Sequence, residues 1–295
     1  MTPHSTESSA PEHTALSAPT HTTAADAAAP FDFAGAAKGL VDAAARAGAC
    51  IMRHYQQGTA VELKADASPV TQADREAEAI ILEALHRLFP AIPVVSEEDA
   101  SDRGAAVPSR FFLVDPLDGT KEFIGKRTDF TVNIALIEEG HPCFGLVFAP
   151  ARRLLAFTPK RDIAVEAELN PSPAGASLAA LACRPLHARL PGPEGLVAVV
   201  SHSHLDPDTE AFLATLKIAK RSSAGSSLKL LMLARGQADV YPRFGPTMEW
   251  DIAAGHAVLA AAGGAVVDTE GKPLRYGKTE AGLRNPSFIA WGRRD

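Results

Sequence analysis

The sequence has few of the features that mark secreted, membrane-spanning or nucleic-acid-binding proteins. Its three cysteines, Cys50, Cys143 and Cys183, are odd in number and far apart, so they indicate neither a disulfide framework nor a zinc site, and they fit a reducing cytosol. We expect Cys143 and Cys183 to be simple buried residues. No uninterrupted apolar run approaches the ~20 residues of a membrane-spanning helix. The net charge is −6, which argues against a nucleic-acid polymer as the partner.

The N-terminal segment lacks the residues that targeting sequences need. Residues 1–30 contain no Lys or Arg and a single Leu among many Ala, Thr, Ser and Pro residues. A signal peptide needs a basic start and an apolar core, and a transit peptide needs Arg, so the composition favours neither. We therefore expect residues 1–30 to form a disordered tail.

The rest of the chain has ordinary globular composition. The whole sequence has 295 residues, of which 46% are hydrophobic and 22% charged, enough for one large core or two smaller ones. Residues 31–190 show helices followed by strands typical of an antiparallel sheet, and residues 191–295 show short strands alternating with helices. We predict an α+β domain over 31–190 and an α/β domain over 191–295.

Local patterns predict several elements. Helical spacing of apolar residues covers Ala34–Gln57 and Gln72–Phe89. Residues 66–71 are predicted to form a turn, and residues 161–181 a strand followed by a helix. The apolar strand beginning at Phe111 is expected to end at Asp115, because a proline follows.

The segment that most strongly indicates a chemical function begins at Asp115 and reads Asp-Pro-Leu-Asp-Gly-Thr-Lys-Glu-Phe. The spacing between Asp115 and Asp118 lets two carboxylates and the Leu117 carbonyl converge on one point, and such hard oxygen donors suit Mg²⁺. Gly119 leaves room for a ligand, and a helix starting at Thr120 would offer N–H groups to an anion. A bare Asp-x-x-Asp-Gly is also compatible with a simple turn.

Three further acidic residues lie at the ends of predicted elements. Asp74 completes a capping-box variant, Glu97 belongs to an acidic triplet typical of solvated loops, and Asp251 could be an N-cap, so each has a purely structural explanation. However, two metal ions close together need several shared carboxylates. Together with Asp115 and Asp118, these residues could supply them.

Four blocks of sequence carry a specific resemblance. They are SPVTQAD, SEED, DPLDGTKEFI with FTVNIALIEEG, and SSLKLLMLARGQADVYPRFGPTMEWDIAAGHAVLAAAGG. Together they resemble the 3′(2′),5′-bisphosphate nucleotidase branch of the inositol monophosphatase superfamily; TKEF and ADVYPRFGPTMEWD are typical of that branch. The resemblance spans roughly Ala34 to Gly292. It implies a layered αβαβα sandwich, with an antiparallel sheet in the N-terminal half and a second α/β layer in the C-terminal half.

The resemblance implies a role for each matched residue. Two or three Mg²⁺ ions would be held by Glu97, Asp115, the Leu117 carbonyl, Asp118 and Asp251. Asp74 would orient Thr120, and this pair would activate the attacking water together with Glu97. The residues in contact with the substrate would be Glu97, Leu117, Asp118, Gly119, Thr120, Ser227, Lys229 and Asp251.

Other residues of the C-terminal half allow more than one interpretation. Ser226 and Ser227 are good helix caps, but the same N–H groups could hold a second phosphate. Lys229, Tyr241 and Arg243 could face a nucleotide.

The segment from Ser201 to His204 contains an H-x-H pair, which is compatible with a metal site, although a polar loop at the substrate entrance is the simpler interpretation. The family commonly has Arg where His202 stands, which puts a charge contact from this position in doubt.

The resemblance implies a Mg²⁺-dependent, lithium-sensitive enzyme that removes the 3′-phosphate of adenosine 3′,5′-bisphosphate, a by-product of sulfate assimilation. It would be a cytoplasmic monomer or homodimer; peripheral association with the inner membrane occurs in the family, but no residue indicates it here. An inositol monophosphatase or sugar phosphatase is the alternative within the class. A non-catalytic nucleotide- or metal-binding module is the alternative from another class.

Overall fold

The computed structural model describes residues 30–58, 61–63, 69–99, 106–201 and 206–294. The predicted tail, apart from residue 30, and residues 202–204 lie outside the described residues. In chain order, the helices and strands are α1 (Phe33–Gln57), β1 (Val61–Leu63), β2 (Pro69–Thr71), α2 (Gln72–Leu88), β3 (Val94–Ser96), β4 (Arg110–Asp118), α3 (Thr120–Ile124), β5 (Thr131–Glu138), β6 (His141–Ala149), β7 (Leu154–Lys160), β8 (Ile163–Glu168), β9 (Arg184–Pro185), β10 (Leu196–Ser201), α4 (Pro207–Ala214), β11 (Ile218–Ala224), α5 (Leu228–Ala234), β12 (Val240–Arg243), α6 (Glu249–Ala261), β13 (Ala265–Asp268) and β14 (Phe288–Trp291).

The first layer is the pair of long helices that the apolar spacing predicts. Leu40, Ala44 and Ile51 of α1 and Ile81 and Leu85 of α2 are buried. Residues three or four positions apart share one face of a helix, so each helix presents an apolar stripe. Both stripes pack into one core against the seven-stranded sheet.

The seven-stranded sheet has the order β3-β4-β5-β6-β7-β8-β9 and is antiparallel except for the β3–β4 pair. In β4, Phe112 and Val114 belong to the core shared with α1 and α2, whereas Phe111 and Leu113 belong to the core on the other face. Successive side chains of a strand point to opposite faces. Because both faces are covered, the strand is a continuous apolar run.

The second sheet has five strands in the order β11-β10-β12-β14-β13. Helices α5 and α6 lie between the two sheets, in a core that joins Leu113 and Val147 of the first sheet to Val199 and Phe288 of the second. Helix α4 covers the outer face of the second sheet through Leu213. The layers therefore follow the order αβαβα, which confirms the predicted fold class.

Helix α6 approaches the first sheet closely at Gly145 of β6. A Cβ atom at this position would lie 2.3 Å from the Ala254 carbonyl oxygen and 2.8 Å from the Ala257 Cβ. The absence of a side chain thus sets the spacing between α6 and the sheet.

Strand β4 does not end at Asp115, so this prediction was wrong. Asp115 pairs with Asn133 and Asp118 pairs with Thr131, which leaves one residue more in β4 than in β5 between the two pairs. Pro116 lies in this bulge, where an irregular ladder tolerates a residue without an N–H group. The strand therefore continues to Asp118.

Three other local predictions were wrong. Residues 69–71, predicted as part of a turn, form β2 and pair with β1. The predicted helix before Leu181 is absent from this fully described stretch, where only Leu178–Ala180 forms a 3₁₀ turn; Pro171 and Pro173 disfavour a longer helix. Cys183, predicted to be buried, is exposed.

The change from one sheet to the other falls between β9 and β10, close to the predicted boundary at residues 190 and 191. The division into two domains stays a prediction. Among the helices of the described ranges, none combines the length and apolar character that crossing a membrane requires.

Candidate active site

A cavity of about 350 Å³ lies where the end of β4 meets the starts of α5 and α6. Its wall combines acidic, hydroxyl and basic side chains from both halves of the chain. Prominent lining residues are Glu97, Asp118, Gly119, Thr120, Ser226, Lys229, Tyr241, Arg243 and Asp251.

The turn from β4 into α3 requires glycine at position 119. Gly119 has a φ of +90°, in the left-handed region, and a Cβ atom there would lie 2.8 Å from the Asp129 carbonyl oxygen. A side chain would therefore be strained both in conformation and by contact. The backbone conformation and the nearby Asp129 carbonyl are therefore sufficient to require glycine at position 119, independently of any ligand. The turn places Asp118 and Thr120 on the cavity wall.

Three donors converge on one oxygen of Asp118. Its Oδ2 accepts hydrogen bonds from the Ser227 N–H at 2.9 Å, the Ser226 Oγ at 2.5 Å and the Asn133 Nδ2 at 3.4 Å. These donors come from β5 and from the segment before α5. The direction of the carboxylate is thus fixed by residues that are distant in sequence.

The segment before α5 is itself fastened to the first sheet. The Gly225 N–H donates to Asp129 Oδ2 at 2.8 Å, and the hydroxyls of Thr131 and Ser226 lie 2.5 Å apart. Sequence reasoning missed the positioning contribution of Asp129, Thr131 and Asn133. The available signal was the presence of polar residues beside and within the apolar run of β5, because a buried polar group needs a hydrogen-bond partner.

Asp251 enters the cavity from the first turn of α6. The helix begins at Glu249, with Met248 as N-cap, so the prediction that Asp251 opens the helix as its N-cap was wrong by three positions. The Asp251 Oδ2 accepts a hydrogen bond from the Met248 N–H at 2.8 Å. An acidic residue at the third helical position can satisfy the N-cap N–H from inside the helix. The Ser227 hydroxyl donates to the Asp251 backbone carbonyl at 2.7 Å.

The acidic group of the cavity is electrostatically unfavourable by itself. Burial is the largest cause that raises the pKa of Asp115, Asp118 and Asp251, and the neighbouring Glu97 carboxylate raises each pKa further. The Ser226 hydroxyl and then Lys229 partly offset this effect for the pKa of Asp118. Buried carboxylates that repel one another favour protonation or a bound cation. An all-oxygen donor set of this kind fits a hard divalent ion such as Mg²⁺.

Asp74 serves two neighbours with its two oxygens. Its Oδ2 accepts from the Thr71 N–H at 2.8 Å and from the Thr71 hydroxyl at 2.6 Å, which completes the capping box of α2. Its Oδ1 lies 3.3 Å from the Thr120 Oγ1. The two interpretations of Asp74 are therefore compatible, since one carboxylate both caps the helix and contacts Thr120. Burial raises the pKa of Asp74.

Three basic residues, Lys121, Lys229 and Arg243, line the cavity together with these acids. The Lys229 Nζ donates to the Ser226 carbonyl at 2.7 Å and lies 5.4 Å from the centre of the Tyr241 ring. Burial lowers the pKa of Lys229 to about 8. The Arg243 Nη2 donates to the Pro246 carbonyl at 3.0 Å.

The remaining predicted residues lie behind the cavity wall. Asp115 is buried and accepts from the Leu117 N–H at 3.0 Å. The Leu117 carbonyl lies 3.2 Å from the Thr120 Oγ1. Ser227 directs its N–H to Asp118. The catalytic, metal-binding and substrate-binding assignments of all these residues stay predictions.

The layered fold and the carboxylate-lined cavity identify the class of protein. The sequence profile of the Inositol monophosphatase family matches residues 34–291. The chain belongs to this family, whose enzymes are metal-dependent phosphatases.

Among its relatives, the chain is similar to proteins named 3′(2′),5′-bisphosphate nucleotidase CysQ. It is 43% identical over 255 residues to that of Escherichia coli (strain K12), which covers 83% of this chain and 95% of the relative, and 31% identical over 255 residues to that of Haemophilus influenzae, which covers 84% and 89%. The crystal structure of CysQ from Bacteroides thetaiotaomicron superposes with a TM-score of 0.71 at 37% identity, over 87% of this chain and 97% of that one.

Proposed function

We propose that the chain is a Mg²⁺-dependent 3′(2′),5′-bisphosphate nucleotidase that hydrolyses adenosine 3′,5′-bisphosphate to AMP and phosphate. The observation that carries the proposal is the presence of two kinds of charge in one cavity. Asp118 and Asp251 supply negative charge for metal ions beside the scissile phosphate, while Lys229 and Arg243 supply positive charge for a second phosphate. The names of the relatives support the same substrate class.

The acidic residues would hold two or three Mg²⁺ ions. The candidate ligands are the side chains of Glu97, Asp115, Asp118 and Asp251 and the carbonyl of Leu117. The raised pKa values of the three aspartates support this assignment, because burial and mutual repulsion disfavour their charged forms and a bound cation would offset both effects. When bound, the ions would neutralise the phosphate and lower the pKa of water at the site.

Thr120 and Asp74 would handle the proton of the attacking water. A hydroxyl has one proton, and when Thr120 donates it to Asp74 its lone pairs can accept a proton from water. A raised pKa makes Asp74 a better proton acceptor. The N–H groups of Gly119 and Thr120 would bind phosphate oxygens. Phosphoryl transfer depends on such positioning and charge neutralisation more than on covalent catalysis.

On this proposal the enzyme would clear a by-product of sulfate assimilation in the cytoplasm, as a monomer or homodimer. Lithium would inhibit it, because a small hard ion of lower charge in a Mg²⁺ position would stabilise the developing negative charge less.

The decisive experiment compares kcat/KM for three substrates at fixed Mg²⁺. Adenosine 3′,5′-bisphosphate should be hydrolysed at least about tenfold more efficiently than 3′-AMP or inositol 1-phosphate, since a site built for two anions leaves donors unpaired when one is absent. The variant Lys229→Ala should lower this ratio, because it should lower kcat/KM for adenosine 3′,5′-bisphosphate.

The matched control is Lys220→Ala, because Lys220 is exposed on β11 and does not line the cavity. It should leave the ratio unchanged. If inositol 1-phosphate is the better substrate, the nucleotidase proposal fails and an inositol monophosphatase replaces it. If no phosphate is released from any of the three with or without Mg²⁺, the non-catalytic alternative is favoured.

A further inference from the structure

Three side chains of different metal-ligand types meet between α1 and α2, outside the candidate active site. Cys50 and His54 lie one turn apart on α1, and Glu76 faces them from α2. Their ligand atoms all lie within 4.8 Å of one another, and no other three His, Cys, Asp or Glu side chains in the described part of the chain do so.

The separations of Glu76 from Cys50 and His54 are close to those between the ligands of a tetrahedral ion. The Glu76 Oε2 lies 3.2 Å from the Cys50 Sγ and 3.2 Å from the His54 Nε2. Zinc binds sulfur at about 2.3 Å and nitrogen or oxygen at about 2.0–2.2 Å, so tetrahedral angles separate a nitrogen ligand from an oxygen ligand by about 3.3–3.5 Å and a sulfur ligand from either by about 3.5–3.7 Å. The Glu76 oxygen therefore lies within about 0.5 Å of the required separation from each of the other two atoms.

A positive group already occupies the centre of this cluster. The Arg53 Nη2 lies 3.6 Å from the Cys50 Sγ and 3.4 Å from the His54 Nε2, and it forms an ion pair with Glu76. The guanidinium thus stands where a cation would be attracted. The Arg53 side chain is 52% exposed, so it can turn into solvent and make way for an ion.

The cluster also has support and access. The Gln72 Nε2 donates to the Glu76 Oε1 at 3.2 Å, which leaves Oε2 directed at Cys50 and His54. The Glu76 side chain is 36% exposed, which gives an ion a path from solvent.

We propose that Cys50, His54 and Glu76 form a binding site for a zinc-like divalent cation, with water as the fourth ligand, separate from the Mg²⁺ ligands of the cavity. Mixed sulfur, nitrogen and oxygen ligands select such an ion over Mg²⁺. As the sulfur–metal bond forms, the Cys50 thiol releases its proton to solvent and the Arg53 guanidinium leaves the site.

The bound ion would join α1 to α2 close to the functional start of α2. Glu76 lies two positions after Asp74, so a bridge from α1 to Glu76 would hold the first turn of α2 in place. Binding restricted to the folded state stabilises that state by mass action. We therefore expect the bound ion to raise the melting temperature of the protein.

The test uses Co²⁺ as a spectroscopic probe on the full chain saturated with Mg²⁺. A thiolate bound to Co²⁺ gives an intense near-ultraviolet charge-transfer band, which carboxylate ligands alone do not produce. We expect this band to saturate at about one Co²⁺ per chain and to disappear when Zn²⁺ is added, since Zn²⁺ competes for the same ligands. Because the thiol gives up its proton when it binds the ion, the affinity for Co²⁺ should increase as the pH rises.

Variants distinguish this site from the other thiols. Cys50→Ser should abolish the band, and Cys183→Ser, which removes the exposed thiol, should preserve it. Glu76→Gln should weaken Co²⁺ binding at least tenfold, and Arg53→Gln should strengthen it by removing the competing guanidinium. Circular dichroism of each variant checks that the fold is intact.

Two results would overturn the proposal. One is the absence of a thiolate band in the folded wild-type protein at excess Co²⁺. The other is a band that survives Cys50→Ser but is lost in Cys183→Ser, which would assign binding to the surface thiol. Neither result bears on the nucleotidase proposal, whose readout is substrate preference.

Discussion

At the scale of single residues, replacing Asp118 by Asn removes one charge from the acidic group while keeping the side chain's size. We expect kcat/KM to fall about 10²–10⁴-fold, because a proposed metal ligand is lost. In the absence of metal, the free energy of unfolding should stay the same or increase, since the neighbouring carboxylates repel Asp118. Asp208→Asn, an exposed position on α4, is the control. Normal turnover of Asp118→Asn at saturating Mg²⁺ would contradict the assignment.

The same charges predict how stability depends on pH. Asp115, Asp118 and Asp251 have pKa values raised above 3.8 in the folded protein, so between 3.8 and those values the folded state binds more protons than the unfolded chain. The free energy of unfolding contributed by these groups therefore decreases as pH rises through this window. Carboxylates with lowered pKa values, such as Glu76 and Glu138, act in the opposite sense, but only below their ordinary value of 4.5.

The measurement is the melting temperature in EDTA and in Mg²⁺ between about pH 5 and pH 8, above the range in which exposed carboxylates titrate. In EDTA the aspartates contribute a fall in melting temperature as the pH rises, whereas His256, whose pKa burial lowers from 6.5 to about 3, contributes a rise over the lower part of this range. The His256 contribution is the same in both buffers, so Mg²⁺ should make the slope less negative than in EDTA by neutralising the carboxylates. Equal slopes in EDTA and Mg²⁺ would show that the acidic group does not bind the ion.

At the level of elements, two variants at the start of α2 distinguish the role of Asp74 in capping the helix from its proposed role in catalysis. Thr71→Ala removes the capping hydroxyl but keeps the Asp74 contact with Thr120, so stability should fall by about 0.5–2 kcal/mol with little change in kcat. Asp74→Asn keeps the Thr71 hydroxyl and an oxygen for the Thr71 N–H but cannot accept the Thr120 proton, so kcat should fall at least about 10²-fold.

Denaturant unfolding and steady-state kinetics on both variants provide the comparison. If Thr71→Ala lowers kcat as much as Asp74→Asn does, Asp74 contributes only by capping the helix. The sequence pattern alone left this question open, because a capping carboxylate and a catalytic carboxylate occupy the same position.

At the scale of the whole molecule, Gly145 sets the distance between α6 and the first sheet. In Gly145→Ala the new methyl group would overlap the Ala254 carbonyl oxygen. We expect a loss of about 1–3 kcal/mol in the free energy of unfolding, the usual range for overpacking. Activity should fall as well, because α6 carries Asp251 into the cavity.

Gly192→Ala is the matched control, since a Cβ atom there has no neighbour within 4 Å. Thermal melts and Mg²⁺ titration of activity compare the two variants. A Gly145→Ala protein with wild-type stability would show that α6 can shift away from the sheet at no cost.

Features that depend on neighbouring residues could be predicted from the amino-acid sequence. The apolar spacing of α1 and α2 predicted both long helices, since helix periodicity is a local property. The Asp-Pro-Leu-Asp-Gly-Thr segment predicted the turn that brings Asp118 and Thr120 to the cavity. Residue type and spacing were sufficient in each case, because the atoms involved lie within a few positions of one another.

Features that depend on distant residues become visible only once the layers are packed together. Strand β4 passes Pro116 because pairing with β5 accommodates a bulge. Ser227 donates its N–H to Asp118 across 109 positions of the chain, and Glu76 meets Cys50 across 26. Such contacts arise when packed layers bring separate segments together, so no spacing along the chain encodes them.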